Sequence, residues 1–312
     1  MTNRVAAIVG AGLVGRAWAM VFARAGWHVR VFDSAPAQLA AANGLIAASL
    51  AEQENAGLVS DAAAATARVS MARRLDDAVA GAAWVQENLP ERVDVKRDAF
   101  AAIDAIADQD AIIASSTSGI RTSLFTQDLA GRARCLVAHP VNPPHLIPVV
   151  ELSGAPWTSP ATIERAHAVM TQVGQVPVVV KREIDGFILN RLQGALLNEA
   201  MRLVGEGYVS AEDVDKTVEH GLGLRWSFMG PFATVELNAP GGVVDYCARY
   251  SGIYRALAAN PPSPDVWDAA NVARVTAGLG KPLDDAERAR RMEWRDRRLL
   301  ALSSHKSAQS KD

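Results

Sequence analysis

A histidine and a glutamate near the middle of the chain are the residues best suited to acid–base chemistry. His139 follows the apolar run of residues 135–138, which is typical of a buried strand. Pro140 comes next, so the imidazole stands where a strand ends and where no helix can begin. Glu151 lies in a second apolar run, residues 148–152. One imidazole and one carboxylate at the ends of neighbouring strands suit a general base and the group that orients it. An isolated histidine more often only forms hydrogen bonds within a loop, so the interpretation of His139 as a base depends on the segments before it.

A glycine-rich turn near the amino terminus has the spacing of a dinucleotide-binding loop. Residues 4–9 are predicted to form a buried strand, the segment GAGLVG follows, and residues 16–24 are predicted to form a helix. In such a turn Gly10 allows the tight bend, Gly12 lets the backbone approach a pyrophosphate, and Gly15 lets the helix pack on the strand. The hexamer alone is a weak signal. Its place between a strand and a helix favours a nucleotide site.

The residues around this turn favour NAD as the cofactor. The helix N-terminus would bring the amides of Leu13 and Val14 to the phosphates. A second predicted strand, residues 27–32, ends in Asp33. Its carboxylate would bind the adenosine ribose hydroxyls and repel a 2′-phosphate, so we expect NAD and not NADP. The alternative is a glycine turn in a different α/β protein.

Hydroxyl side chains follow another predicted strand. Residues 110–115 form an apolar run that leads into the sequence SSTSG, whose fourth residue is Ser118. Rossmann-type sheets bind ligands beyond the carboxyl ends of their parallel strands, so these hydroxyls are candidates for ligand contacts. Helix capping or turn formation is an equally good explanation for any single one of them.

The alternation of strands and helices stops after residue 186. We therefore predict a Rossmann-type, mostly parallel sheet domain of the α/β class for residues 1–186 and an all-helical C-terminal domain for residues 187–312. Within the second domain, residues 221–226 are predicted to form a loop with an exposed arginine. Residues 303–312 are expected to fray at the end of a solvated helix.

Composition excludes several classes of function. The formal net charge of −2 gives no basic surface for nucleic acid and no polybasic membrane anchor. No apolar run approaches the ~18 residues needed to span a bilayer, and the first apolar segment is interpreted as a strand and not as a secretion signal. Cys135 and Cys247 are far apart and lack metal-ligand spacing. We therefore expect buried free thiols, a cytoplasmic location and no bound metal.

Six motifs, spread over nearly the whole chain, resemble those of the 3-hydroxyacyl-CoA dehydrogenase superfamily. They are IVGAGLVGRAWAMVFA, SSTSG, VAHPVNPPHLIPVVEL, GFILNRLQ, GLGLRWSFMGP and LNAPGGVVDYCARY. The last two are similar to the lambda-crystallin, or L-gulonate 3-dehydrogenase, branch. The resemblance implies an NAD-dependent dehydrogenase that forms a homodimer through its helical C-terminal domain.

The resemblance also implies roles for individual residues. His139 is similar to the family's catalytic histidine, and Glu151 to the carboxylate paired with it. Ser118 and Asn190 match catalytic polar residues around the substrate carbonyl and the nicotinamide. The remaining matches, which join the glycine turn as cofactor-binding residues, are Asp33, Glu87, Glu91, Lys96 and Asn142.

Two departures from the acyl-CoA enzymes point to a smaller substrate. The phenylalanine pair that follows their catalytic histidine is here Pro140-Val141. The helical hairpin predicted for residues 36–67 contains no lysine or arginine, although it supplies basic residues to the CoA phosphates in those enzymes. We therefore expect a small carboxylate-bearing hydroxy acid, with Arg225 as the candidate ligand of its carboxylate. A surface or interdomain salt bridge is the alternative for this arginine.

The expected reaction is oxidation of a 3-hydroxy acid to the 3-oxo acid with NAD, with His139 as the base. Two other classes remain open. One is an enzyme of the same fold that acts on carnitine or on a short 3-hydroxyacyl-CoA. The other is a non-catalytic protein, because lens crystallins show that this scaffold can serve a structural purpose.

Overall fold

The chain forms two compact units. The structure, a computed structural model, describes residues 4–280 and 283–309. One unit contains the described residues up to Ile188 together with residues 289–309, and the other contains the described part of Leu189–Arg288. The division into domains at residues 186 and 187 stays a prediction.

An eight-stranded sheet organises the first unit. Its strands are β1 (Val5–Val9), β2 (His28–Phe32), β3 (Val69–Met71), β4 (Trp84–Glu87), β5 (Ile112–Ser115), β6 (Cys135–Pro140), β7 (Val149–Gly154) and β8 (Val176–Val180). Their order in the sheet is β3-β2-β1-β4-β5-β6-β7-β8. Every neighbouring pair is parallel except β6 and β7. The predicted mostly parallel, Rossmann-type sheet is confirmed.

Helices connect these strands and cover both faces of the sheet. They are α1 (Leu13–Arg24), α2 (Pro36–Asn55), α3 (Ala62–Ala67), α4 (Leu75–Val79), α5 (Val93–Ile106), α6 (Ser123–Thr126) and α7 (Pro160–Gln172). Alternate residues of β1 lie on the two faces of the sheet, because successive side chains of a strand point in opposite directions. Ala6 and Ile8 join the core beneath α1 and α2, whereas Ala7 and Val9 join the core that includes Phe100 of α5.

Large aromatic side chains fix α1 against the sheet. Trp18, Phe22, Trp27 and Trp84 are fully buried. The ring centroid of Phe22 lies 5.3 Å from that of Trp27 and 6.0 Å from that of Trp84. Because α1 begins at the glycine turn, this packing fixes the position of its N-terminus at the edge of the sheet.

The second unit is helical, as predicted. It contains α8 (Leu189–Gly205), α9 (Ala211–Thr217), a π-helix (Val218–Gly223), α10 (Leu224–Trp226), α11 (Pro231–Leu237), α12 (Gly242–Ala258) and α13 (Ala269–Leu279). The last helix, α14 (Asp285–Ala308), starts in this unit, and most of its length belongs to the first unit.

Three local predictions need correction. Residues 221–226 are helical and not a loop, because the π-helix continues α9 into α10. A Cβ at Gly223 would lie 2.9 Å from the carbonyl oxygen of Val218, so glycine is the residue type that this wide turn accepts. Residues 303–308 remain helical and do not fray, and residues 310–312 lie outside the described residues. Both thiols are free, but Cys247 is exposed and only Cys135 is buried.

None of the helices in residues 4–280 and 283–309 is both long enough and apolar enough to cross a membrane.

Candidate active site

The candidate site lies at the edge where the parallel strands of the sheet end. β1 pairs with β2 on one side and with β4 on the other. This arrangement is a topological switch point, where open α/β sheets bind their ligands. The loops after β1, β4, β5 and β6 reach this edge, and β7 begins there because it runs antiparallel to β6.

The glycine turn has the shape that a dinucleotide requires. Gly10 has φ +97°, and a Cβ there would lie 2.9 Å from the backbone oxygen of Asn88. A Cβ at Gly15 would lie 1.8 Å from the backbone oxygen of Gly10, so α1 crosses β1 too closely for any side chain. A Cβ at Gly12 would meet nothing within 4 Å. The backbone therefore borders open space at the N-terminus of α1, and this space fits a pyrophosphate.

Asp33 and Arg16 hold the same turn. Asp33 Oδ2 accepts a hydrogen bond from the amide of Ala11 at 2.7 Å, and Oδ1 accepts one from the amide of Ala35 at 2.8 Å. Each carboxylate oxygen has a further lone pair for a ribose hydroxyl. Arg16, which is not among the predicted site residues, donates from Nη1 to the Ala11 oxygen at 3.0 Å. Burial lowers the pKa of this arginine. Its position directly after the glycine hexamer is the sequence signal that would have identified it.

The exposed residue Leu13 begins α1, and the half-buried Val14 follows it. Their amides belong to the first turn of α1, where no intrahelical acceptor exists for an N–H group. The turn, the open space and the helix N-terminus together fit the predicted cofactor.

Three hydroxyl side chains of SSTSG donate hydrogen bonds to residues of the loop after β4 and to the end of β4. Ser115 Oγ donates at 2.5 Å, Ser116 Oγ at 2.8 Å and Thr117 Oγ1 at 2.5 Å. Ser118 is exposed at the edge of the sheet. Turn formation therefore explains these three hydroxyl groups, and the role of Ser118 as a ligand contact stays a prediction. The acceptors of the three hydroxyl groups are Glu87, Asn88 and Glu91, respectively.

Glu87 and Lys96 form an ion pair below this loop. Lys96 Nζ lies 3.2 and 3.1 Å from the two carboxylate oxygens of Glu87. The exposed fractions are 0% for Glu87 and 1% for Lys96, so neither residue offers surface to a ligand in this structure. Their expected contact with the cofactor stays a prediction, and the contacts present make them supports of the loops after β4 and β5. Glu91 differs, because 47% of its side chain is exposed.

His139 and Glu151 are directly opposite each other on β6 and β7. His139 Nδ1 and Glu151 Oε2 are 2.8 Å apart, and the two residues are only 4% and 2% exposed. No described residue forms a hydrogen bond with His139 Nε2. When Nδ1 donates its proton to the carboxylate, Nε2 is an acceptor and can take a proton from a substrate.

The segment after β8 holds this pair in place, although Phe187 and Ile188 were not predicted as site residues. The Ile188 amide donates to Glu151 Oε1 at 2.7 Å. The ring of Phe187 is fully buried, and its centroid lies 5.3 Å from that of His139. Phe187 has φ +50°, which is uncommon for a bulky residue and is characteristic of functional sites. The motif GFILNRLQ contains both residues, but nothing in its spacing reveals the contact.

The remaining predicted residues lie in different places. Asn142 is exposed in the turn that follows β6. Asn190 is the half-buried second residue of α8, in the second unit. Arg225 is exposed in α10 of that unit, and no carboxylate in the described part of the chain forms an ion pair with it. The salt bridge that was the alternative for Arg225 is therefore not formed within these residues.

Comparison with protein families agrees with this geometry. Residues 5–184 match the NAD-binding domain of 3-hydroxyacyl-CoA dehydrogenase, and residues 186–274 match the C-terminal domain of the same family. The chain belongs to the 3-hydroxyacyl-CoA dehydrogenase family. It is an NAD-dependent oxidoreductase that acts on a CH–OH group of a small molecule.

Two groups of relatives cover almost the full length of this family member. Lambda-crystallin from Oryctolagus cuniculus is 43% identical over 305 residues, which are 96% of this chain and 95% of the relative. L-carnitine dehydrogenase from a Pseudomonas species is 35% identical over 297 residues, which are 95% of this chain and 92% of the relative.

Solved structures extend the comparison. An NAD⁺-dependent 5-formyl-3-hydroxy-2-methylpyridine 4-carboxylic acid 5-dehydrogenase aligns over 99% of this chain and 100% of its own, with a TM-score of 0.84 and 29% identity. The (S)-3-hydroxybutyryl-CoA dehydrogenase of Ralstonia eutropha aligns over 88% of this chain and 94% of its own, with a TM-score of 0.69 and 27% identity.

Proposed function

We propose that this dehydrogenase oxidises the 3-hydroxyl group of a small, L-gulonate-like hydroxy acid to the 3-oxo acid. The observation that carries the proposal is the buried hydrogen bond between His139 Nδ1 and Glu151 Oε2 at 2.8 Å. It lies at the ligand-binding edge of a sheet whose glycine turn fits NAD. A buried imidazole that is oriented by a carboxylate and has its other nitrogen available is a general base.

In the proposed mechanism His139 Nε2 removes the proton of the substrate hydroxyl. NAD, when bound, supplies the acceptor for the hydride that leaves the same carbon. Glu151 keeps the proton of the imidazole on Nδ1 and stabilises the imidazolium that forms, as the carboxylate does in hydrolase triads. Ser118 and Asn190 donate hydrogen bonds to the substrate oxygen as its charge changes.

The positions of the positively charged residues support a free acid, and not a CoA thioester, as the substrate. Helices α2 and α3 and the turn between them, residues 36–67, contain no lysine or arginine. A CoA thioester would therefore find no cation there for its phosphates. Arg225, with no carboxylate bound to it in the described residues, offers a planar pair of donors that suits a carboxylate. The relative with the TM-score of 0.84 is named for a substrate that also carries a carboxylic acid.

Carnitine is a second candidate, because it combines a 3-hydroxyl group and a carboxylate with a quaternary ammonium. The 35% identity to L-carnitine dehydrogenase favours it. Aromatic rings bind quaternary ammonium groups through cation–π interactions. Trp226, Phe228 and Phe232 follow Arg225 in the sequence and are 42%, 65% and 80% exposed.

We also propose that residues 187–312 form the substrate-binding domain and the homodimer interface. The support is the large apolar surface of the second unit, which is unusual for a monomer. Its members on α12 include Val244, Tyr250, Ile253, Tyr254 and Leu257, each at least 45% exposed. Sedimentation at micromolar concentration tests this: a monomeric mass contradicts the dimer.

The test of the function is a substrate panel with NAD: L-gulonate, other free 3-hydroxy acids, carnitine and 3-hydroxybutyryl-CoA. NADH formation is expected with a free hydroxy acid. His139→Gln should bind NADH normally and lose turnover by about 10²–10⁴-fold, the usual contribution of a positioned base. His167→Gln, at an exposed histidine of α7, is the matched control and should keep turnover. Preference for carnitine or for the thioester would replace the proposed substrate, and no turnover at all would favour a non-catalytic role.

A further inference from the structure

The turn that carries Ser118 is attached to a single carboxylate oxygen. Glu91 Oε1 accepts three hydrogen bonds from this turn. The donors are Thr117 Oγ1 at 2.5 Å and the amides of Ser118 and Gly119, each at 3.0 Å. Hydrogen bonds to a charged acceptor are roughly twice as strong as neutral ones. The backbone on both sides of the Ser118 side chain is therefore tied to Glu91.

Glu91 is in turn held by the buried ion pair below the loop. Its Oε2 lies 3.8 Å from Lys96 Nζ, and Lys96 also donates to the backbone oxygen of Leu89 at 3.4 Å. Lys96 is fixed by both carboxylate oxygens of Glu87. The amide of Leu89 donates to Glu87 Oε1 at 2.6 Å, so the loop that carries Glu91 is attached to the same anchor.

The first half of the loop does not depend on Glu91. Ser115 is bound by Glu87, and the Ser116 amide donates to the backbone oxygen of Glu87 at 2.9 Å. Ser116 Oγ accepts from the indole of Trp18 at 3.0 Å. Loss of the Glu91 carboxylate would therefore loosen residues 117–119, in which Ser118 is the predicted ligand contact, and would leave the hydrogen bond from the Thr117 amide to Ser115 Oγ in place.

We propose that Glu91 is a positioning residue that fixes Ser118 for the reaction, an inference that rests on the proposed function. The carboxylate acts through the backbone and not by contact with the substrate. A shift of about 1 Å in a group that positions the substrate is enough to lower the rate by about 10²-fold. The negative charge of Glu91 is needed because a single carboxylate oxygen accepts all three hydrogen bonds.

The family resemblance also implies a contact between Glu91 and the cofactor, and the positioning role does not exclude it. The two roles can be measured separately. A cofactor contact weakens NADH binding and acts independently of Ser118. The positioning role lowers kcat, and this effect disappears when Ser118 is already gone.

The experiment is a double-mutant cycle of Glu91→Ala and Ser118→Ala in the full chain. It measures kcat and KM with the substrate found in the panel, the Kd of NADH by fluorescence titration, and the melting temperature. We expect Glu91→Ala to lower kcat, measured at saturating NAD, by about 10- to 100-fold. In the Ser118→Ala background the same substitution should cost less than about 2-fold in kcat.

Two further variants separate positioning from folding. Glu91→Gln keeps one acceptor oxygen and should retain more turnover than Glu91→Ala, even if the alanine variant folds poorly. Asp94→Ala removes an exposed carboxylate of α5 that forms an ion pair with the exposed Arg92, and it should leave kcat unchanged.

Several outcomes would overturn the inference. Equal losses of kcat from Glu91→Ala with and without Ser118 would show that the two residues act independently. A Kd of NADH raised at least about 10-fold, with kcat at saturating NAD unchanged, would assign Glu91 to cofactor binding alone. Normal turnover in Ser118→Ala would also overturn it, whereas the proposed function fails separately, through normal turnover in His139→Gln.

Discussion

Replacement of Glu151 by glutamine is the most informative perturbation of this site. The carboxylate accepts at least two N–H groups, on different oxygens: His139 Nδ1 at 2.8 Å and the Ile188 amide at 2.7 Å. Glutamine has the same shape but only one acceptor oxygen, and its NH₂ group donates. In Glu151→Gln one of these two N–H groups must therefore face the NH₂ group of the glutamine, which is itself a donor.

Each of the two possible orientations has a defined cost. If the amide oxygen faces Ile188, the NH₂ group donates to Nδ1 and the proton of His139 moves to Nε2, where it blocks proton abstraction. The comparable change in a serine protease lowers kcat by about 10⁴-fold. If the amide oxygen faces His139, the Ile188 amide loses its acceptor in a site where Glu151 is 2% exposed, which costs about 1–3 kcal/mol. The imidazolium then also lacks a negative partner.

The assay combines steady-state NADH formation with urea unfolding of the same samples. We expect a loss of kcat of at least about 10²-fold, as for loss of the base, together with a free energy of unfolding that is unchanged or lower by up to about 3 kcal/mol. Glu183→Gln is the matched control, because Glu183 Oε1 accepts one N–H, from Ser123, which an amide oxygen can satisfy. Wild-type kcat in Glu151→Gln would refute the role assigned to the pair.

Further predictions concern the glycine turn and acid stability. Gly12→Ala should keep the melting temperature, since its Cβ meets no atom within 4 Å, but should weaken NADH binding by about 10-fold or more in a fluorescence titration. Gly15→Ala places a Cβ 1.8 Å from a backbone oxygen and should lower the melting temperature sharply; equal effects of the two variants on stability would contradict this geometry. Burial, with a smaller effect of Arg24, lowers the pKa of His145 from 6.5 to about 4. The unfolded chain therefore binds a proton at His145 that the folded chain does not bind. The free energy of unfolding should fall by about 1.4 kcal/mol per pH unit as the pH drops from 6.5 towards 4. His145→Gln should reduce this slope in urea unfolding at several pH values, and an unchanged slope would exclude His145 as its source.

The sheet was predictable because its signals are local. Apolar runs of strand length, each ending in a glycine turn or a hydroxyl-rich loop, place the ends of β1 and β5. The opposition of His139 and Glu151 follows from two such runs joined by a short proline-rich connection. These features depend only on residues that lie close to one turn in the sequence, so a single sequence is enough to predict them.

The contacts that complete the site were not predictable, since they depend on register between distant strands. Ser115 meets Glu87 because β4 and β5 pair in parallel with these residues opposite each other. The fit of Phe187 against His139 needs a backbone with φ +50°, which a phenylalanine rarely adopts. The prediction of a loop at residues 221–226 was wrong because of Gly223. A glycine usually indicates a turn, but here it allows the π-helix to continue.

The charge pattern of the α2–α3 hairpin bears on substrate size. Its ionisable residues at neutral pH are all acidic: Glu52, Glu54 and Asp61. Two arginines border the last turn of α2: Arg24 Nη1 donates to Gln53 Oε1 at 3.1 Å, and Arg297 of α14 lines a cavity with Glu52. A helix of 20 residues is about 30 Å long, so both arginines lie about a helix length from the end of α2 that follows Asp33. The α2–α3 hairpin itself therefore supplies no cation to the phosphates of a CoA thioester. This pattern supports the proposed substrate, a short hydroxy acid whose own carboxylate would be bound by a cation near the reacting carbon.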